Sequence, residues 1–291
     1  MSEHDDIVGD PRQVVTGGFA AVGRYAVIGH PVVHSQSPAL HNAWFEDAGR
    51  NGHYVALDIA PADLVHRGPS LPFEYSGLNV TVPHKVAMLG HAKRIDGHAE
   101  AAGATNVLYR DEDQQWTAGN TDGRGFVAAV EEEMAESVMG KDVVILGAGG
   151  AARAIAAALV RGGTASVWIA NRTLQNAERV SQAVGATGVA PLHAELLDIL
   201  EVSVDLVVNT LPPEAEATVG SLDLTPLADH AVLIDINYYL RNRALLEIAR
   251  KAGLMGLDGR GMFLWQAALS FEHWTGELPD LALGRRVLRM E

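Results

Sequence analysis

The sequence predicts a two-domain α/β protein whose C-terminal part is a doubly wound parallel sheet. Three observations predict it. The chain has 291 residues and is 48% hydrophobic, more than one ordinary domain needs to bury a core. Residues 143–146 form an unbroken apolar run that stops at Gly147-Ala148-Gly149-Gly150 and continues as an alanine-rich segment, which is a strand, a tight turn and a helix. Strand-like and helix-like segments then alternate, with strands at 166–170, 205–209 and 231–235 and helices at 151–161 and 175–184. The expected boundaries are a loose tail over 1–23, one domain from 24–122 together with 261–291, and the sheet domain from 123–260.

Composition removes several functions. Twenty-two basic residues against 36 acidic ones give a formal charge of −14, which opposes nucleic-acid binding by counterion release. No cysteine is present, so disulfides, thiolate catalysis and cysteine metal sites are excluded, and no metal site is predicted. The acidic N-terminus has no apolar core segment of the signal-peptide kind, and no apolar run approaches a membrane span. The expectation is a cytoplasmic protein with neither membrane nor nucleic-acid partner.

In the N-terminal half, residues 25–28 read as a buried strand closed by Gly29-His30-Pro31. Ser35 and Ser37 then face one way if the segment is extended. Pro38 suits a helix start with Ser37 as its N-cap, and Gly49 suits the C′ position of that helix. The two hydroxyls either form a carboxylate site or only cap the helix. Residues 53–59 alternate as a strand, and 64–75 read as helix and loop. In the strand at 77–82, Asn79 and Thr81 share one face, opposite Leu78, Val80 and Val82. Pro83 is expected to begin a helix with Lys85 in its first turn, where the helix dipole disfavours a cation. Lys85 is thus either functional or a solvated surface lysine. Residues 105–109 and 115–118 read as a hairpin opened by Asn106, and Gly119-Asn120-Thr121-Asp122-Gly123 as a turn before a helix over 125–135.

In the C-terminal half, Gly147 and Gly149 permit a sharp turn and close approach of a ligand, while the following helix start offers free N–H groups to a pyrophosphate. Ala152 stands where the G-x-G-x-x-G pattern has its third glycine, a place where alanine is accepted. The end of the next strand should meet the adenosine ribose. There the chain has Asn171-Arg172-Thr173 in place of an acidic residue, about two dozen residues past the glycines, near the usual interval of roughly 20. An arginine and a hydroxyl favour a 2′-phosphate, hence NADP over NAD.

From about Tyr25 to Pro279 the chain resembles the shikimate dehydrogenase family. The resemblance rests on Ser35-Gln36-Ser37-Pro38, Asn79-Val80-Thr81-Val82-Pro83-His84-Lys85, Gly103-Ala104-Thr105-Asn106, Asn120-Thr121-Asp122-Gly123, the glycine turn through Ala151 and Ala152, Asn171-Arg172-Thr173, and Asp258-Gly259-Arg260-Gly261-Met262 followed by Gln266. It implies a Rossmann-like cofactor domain beside an N-terminal α/β substrate domain, and reduction of 3-dehydroshikimate to shikimate by NADPH on the route to chorismate and the aromatic amino acids. It implies Lys85 and Asp122 as the catalytic pair. Ser35, Ser37 and Tyr238 would hold the substrate carboxylate, and Asn79, Thr81, Asn106 and Gln266 the ring hydroxyls. Gly147, Ala148, Gly149, Gly150, Ala151, Asn171, Arg172, Thr173 and Asn209 would hold the cofactor, with Gly261 and Met262 bordering the nicotinamide. The chain departs from the family pattern over 210–214 and at Leu240, Arg243 and Ala244. Asn176 replaces a second arginine, so only Arg172 serves the 2′-phosphate and NAD use is open. The alternatives are a paralogue acting on quinate or an aminoshikimate, and a non-catalytic sensor that binds a nucleotide or shikimate-like ligand. A monomer or a homodimer is expected.

Overall fold

A computed structural model describes residues 23–200, 203–238 and 243–290. The tail expected over 1–23 lies outside the described residues except for Gly23, which belongs to the first strand and donates its N–H to Asn51 O at 2.8 Å. Leu240, in the segment where the chain departs from the family pattern, also lies outside them.

Two six-stranded sheets organise the chain. The first contains β1 (Gly23–Gly29), β2 (Gly52–Asp58), β3 (Gly77–Val80), β4 (Arg94–Ile95), β5 (Val107–Arg110) and β6 (Trp116–Gly119), in the order β2-β1-β3-β5-β6-β4. β1 pairs in parallel with β2 and β3, and the predicted hairpin β5–β6 is antiparallel. The second contains β7 (Asp142–Leu146), β8 (Ser166–Asn171), β9 (Gly188–Pro191), β10 (Leu206–Asn209), β11 (Val232–Asp235) and β12 (Met255–Asp258). All its pairings are parallel, in the order β12-β11-β10-β7-β8-β9. The order reverses at β7, next to the glycine turn, and an open α/β sheet has its crevice at such a point. The edge strands β9 and β12 are additions to the predicted set, because Gly188, Pro191 and Gly256 break the apolar runs that mark the inner strands.

The inner strands are unbroken apolar runs because both faces are covered. Val143 and Ile145 join Leu206, Val208, Val232 and Ile234 in one core. Val144 and Leu146 join Val207 and Leu233 in the core on the opposite face. Period-two alternation is therefore still present, but it sorts side chains between two apolar layers instead of between core and water.

The long helix Arg260–Thr275 returns to the first sheet, where Leu264, Ala267 and Phe271 pack with Val27, Leu40, Trp44 and Tyr54. The helix Asp122–Met134 lies against it and against the helix Gly150–Arg161. Glycine makes both approaches possible. A Cβ on Gly125 would stand 2.6 Å from Gln266 N, and one on Gly123 would stand 2.2 Å from Ala154 O.

His41 is fully buried, stacks on Tyr54 at 4.4 Å between centroids, and has no hydrogen-bond partner for either ring nitrogen. Burial pushes its pKa down to about 3. The folded state thus refuses a proton that the unfolded chain binds below about pH 6.5, and stability falls with pH across the window between those two values. At about 1.4 kcal/mol per pH unit, the loss by pH 5 is on the order of 2 kcal/mol. His41→Phe is expected to flatten the fall in Tm between pH 7 and pH 5. Parallel pH profiles of variant and parent would count against this account.

Candidate active site

The two polar residues singled out in the first half meet. Lys85 Nζ donates to Asp122 Oδ2 at 2.6 Å, with side-chain exposures of 23% and 8%. Lys85 is not on an α-helix as expected. It lies in the turn between β3 and a short 3-10 helix, Ala87–His91, so no helix dipole opposes it, and its carbonyl accepts from Thr105 N at 2.8 Å. Asp122 was expected in a turn before the helix; it is the first residue of Asp122–Met134, where a negative charge is favoured. Its amide donates to Asn120 Oδ1, and its Oδ1 accepts from Asn106 Nδ2 at 2.8 Å. Asn106 is 2% exposed and also faces Thr121 Oγ1 and, at 3.3 Å, Gln266 Oε1. Thr121 Oγ1 donates to Gln266 O, tying the Asp122 and Arg260 helices together at the pair.

Towards the first sheet, Asn79 Nδ2 donates to Asn106 O and Ser270 Oγ, and its Oδ1 accepts from Tyr54 OH at 2.7 Å. Both N–H groups of this nearly buried amide are therefore committed inside the protein. This narrows the expectation that Asn79 binds a ring hydroxyl, since it has only a lone pair of Oδ1 to offer. Thr81 is half-buried, and no described residue bonds its hydroxyl. Ser37 is not an N-cap: Gln36 holds that place with helical backbone angles, and Ser37 is the first residue of the helix Ser37–Asp47. The extended geometry expected for the two serines is thus replaced by a turn, in which Ser37 N donates to Ser35 Oγ at 3.2 Å. Tyr238 is half-buried with its ring 4.9 Å from that of Phe263.

On the second sheet, Gly147 has φ +113°, and a Cβ there would meet Thr210 Oγ1 at 2.6 Å, so glycine is required. Gly149 and Gly150 face open space and begin the helix Gly150–Arg161. Ala148 and Ala151 are half-buried beside them, and Ala152 is fully buried. Arg172 and Thr173 are exposed just past β8, and no described residue bonds the guanidinium; Asn171 turns inward to donate to Thr173 O. Asn209 ends β10. It is 1% exposed, donates to Asp235 Oδ2 and accepts from Leu211 N, so it shapes the loop after β10. Gly261 has its Cα facing Ala129 and the Glu133 carboxylate, and Met262 borders the same core as Ala148. Across the ends of β11 and β12, Arg243 donates to Asn237 O and Asp258 Oδ2. Burial raises the Asp258 pKa, but the Arg260 guanidinium and backbone N–H together with the Arg243 charge hold the group below its ordinary value.

Three family models match the chain in order. They are the shikimate dehydrogenase substrate binding domain over residues 27–108, shikimate / quinate 5-dehydrogenase over 129–236, and the shikimate 5'-dehydrogenase C-terminal domain over 259–289. Shikimate dehydrogenase (NADP(+)) of Mesorhizobium japonicum is 39% identical over 264 residues, covering 90% of this chain and 94% of the relative. The chain belongs to the shikimate dehydrogenase family. The Bacillus subtilis member is 37% identical, with 91% and 95% of the two chains covered. The crystal structure of the Thermus thermophilus member in complex with NADP(H) and shikimate has a TM-score of 0.79 at 33% identity, covering 92% of this chain and 99% of that one. The family's two-domain α/β architecture is the one described above. Sequence reasoning overlooked Tyr54 and Ser270. Tyr54 and Ser270 fall in apolar segments that read as core, and only their contacts reveal a polar role.

Among the described residues, no helix is long and apolar enough to cross a membrane, and no group of three or more His, Asp or Glu is placed to hold a metal ion.

Proposed function

We propose that the chain reduces 3-dehydroshikimate to shikimate with NADPH, and that Lys85 and Asp122 do the acid–base work. The observation that carries this reading is the 2.6 Å Lys85–Asp122 pair, with Asp122 held in turn by Asn106.

The residues present fit the cofactor. Gly147 permits the tight turn, Gly149 and Gly150 leave room for a pyrophosphate at a helix start, and the Arg172 guanidinium has no competing partner among the described residues. When bound, NADPH supplies the hydride. The chain's own residues do the rest. Ser35 and Ser37 present hydroxyls to the carboxylate, and Tyr238 adds a third. Lys85 offers an N–H and a positive charge to the ketone oxygen, where negative charge develops as the hydride arrives. Asp122 orients that ammonium, and Asn106 holds Asp122 through Oδ1. Gln266 and the Thr81 hydroxyl complete the set for the ring hydroxyls.

A second reading, action on quinate, is favoured by the shared shikimate / quinate description of the central family model. Steady-state rates for shikimate and quinate with NADP and NAD separate the two. Fast shikimate oxidation with NADP is expected, whereas negligible shikimate turnover beside fast quinate turnover would overturn the first reading. In the same assay Arg172→Ala is expected to lower the NADP-over-NAD ratio of kcat/KM by about tenfold to a hundredfold, the worth of one charged hydrogen bond at about 1.5–3 kcal/mol. An unchanged ratio removes Arg172 from the 2′-phosphate site.

A further inference from the structure

The helix that starts at the cofactor turn, Gly150–Arg161, carries two polar side chains, Arg153 and Arg161, and both reach the other domain. They bond opposite ends of the short helix Gly97–Ala102, which packs alongside. At one end Arg161 donates to Gly97 O at 2.8 Å and bonds His98 Nδ1 at 3.1 Å. At the other, Arg153 Nε donates to Ala101 O at 2.9 Å. Arg153 is half-buried, and among the described residues no carboxylate bonds its guanidinium.

The chain passes from the Arg153 end of that helix straight to the catalytic pair. Gly103 follows with φ +60°, and the guanidinium lies over it, so that a Cβ would stand 2.5 Å from Nη1 and 2.7 Å from Cζ. Each of the next three residues then holds part of the pair. Ala104 O accepts from Asn120 Nδ2, and Asn120 Oδ1 in turn accepts from Asp122 N. Thr105 N donates to Lys85 O at 2.8 Å, and Asn106 Nδ2 donates to Asp122 Oδ1 at 2.8 Å. The Arg153 main chain meanwhile belongs to the cofactor turn, since its N donates to Gly149 O at 3.0 Å. One residue thus bonds the glycines through its backbone and, through its side chain, the segment that aims Lys85 and Asp122. Any cation favours a helix C-terminus, so an exposed lysine would serve for capping. Capping does not account for a planar group laid over Gly103, which leaves that position no room for a side chain.

We propose that Arg153 is a positioning residue for the hydride step: it fixes the Lys85–Asp122 pair relative to the turn that holds the cofactor. The inference rests on the shikimate reading above. The ketone carbon must meet the nicotinamide while its oxygen meets the Lys85 ammonium, and the two sheets carry these partners separately. Their separation is therefore set by groups that span both sheets, and a misplacement of about 1 Å costs about a hundredfold in rate. The Arg153 side chain is spent on Ala101 and Gly103, not on a reacting atom.

The test is Arg153→Met in the full chain, which keeps the stem and removes the N–H groups and the charge. The readout is the single-turnover rate of NADPH formation from saturating shikimate and NADP. That rate is expected to fall about tenfold, with the Kd for NADPH and the KM for shikimate within about twofold of the parent. Arg153→Lys still offers a donor to Ala101 O, and its rate is expected to recover to about threefold below the parent. Arg161→Ala removes the bonds at the far end of the same helix pair, and its rate is expected to stay within about twofold of the parent. A parental rate in Arg153→Met, an equal fall in Arg161→Ala, or a fall matched by rises in Kd and KM would leave Arg153 as packing between helices and overturn the proposal. If Arg153→Met does not fold, Arg153→Lys is read alone. A rate about threefold low with Kd and KM unchanged then supports the positioning role, and a parental rate overturns it. Failure of the unaltered protein to oxidise shikimate is a different result, which rejects the shikimate reading itself.

Discussion

Lys85→Ala is expected to lower kcat for shikimate oxidation by two to four orders of magnitude, the range of a lost acid–base contribution, while NADP binding is unchanged. The size follows from the surroundings of Nζ. The ammonium is about one-quarter exposed on one side and bonded to a carboxylate on the other, so it is accessible to substrate and aimed by Asp122. No other cation bonds Asp122 among the described residues. Alanine also leaves an 8%-exposed carboxylate without its positive partner, and the variant should melt a few degrees lower. A fluorescence titration with NADPH distinguishes catalysis from collapse, because the cofactor turn at Gly147 belongs to the other sheet. Asp122→Asn is expected to have an effect of similar order. The double variant should be little worse than either single one, since the two side chains act as a unit. A Lys85→Ala enzyme with parental kcat would end the assignment.

What is legible in the sequence and what is not follow one physical division. Local backbone demands are legible: Gly147 and Gly49 sit at the turns their neighbours suggest and have positive φ. Buried parallel strands are legible too, since two covered faces leave no polar residue in β7, β10 or β11 apart from Asp142 at the start and Asn209 and Asp235 at the ends. Long-range partnership is not. Nothing near Tyr54 announces that its hydroxyl bonds Asn79, 25 residues away, and nothing near Asn79 announces that its amide is satisfied by Asn106 and Ser270. The error at Lys85 has the same origin. Local grounds make Pro83 a helix start, but the chain runs through a turn anchored at Thr105, and only a 3-10 segment follows. The bond from Asn209 to Asp235 and the close packing of Gly261 on Ala129 and Glu133 are long-range in the same way.

Gly259→Ala is expected to be among the most disruptive single-methyl changes in the molecule. An added Cβ would stand 1.9 Å from Ile236 O, 2.4 Å from Ile236 C and 3.0 Å from its Cα. All three are backbone atoms, so no side-chain rotation relieves the overlap. The φ of Gly259 is −74°, which alanine accepts, and the effect is therefore purely one of space. Either the start of the Arg260 helix or the segment after β11 must move. The first carries Met262 and Gln266; the second carries Asn237, bonded to Asp235 and Leu211, and then Tyr238. Overpacking of this kind costs about 1–3 kcal/mol and at times more. At about 2–4 °C per kcal/mol for a chain of this class, Tm should fall by roughly 5 °C or more. Because the proposed function places Gln266 and Tyr238 at the substrate and Met262 at the nicotinamide, the KM for shikimate and that for NADP should rise in the same variant. Gly90→Ala is the control, since an added Cβ there meets nothing within 4 Å, and it should leave Tm and both KM values unchanged. A Gly259→Ala protein that melts within a degree of the parent would show that the contact between the Arg260 helix and Ile236 is looser than its geometry implies.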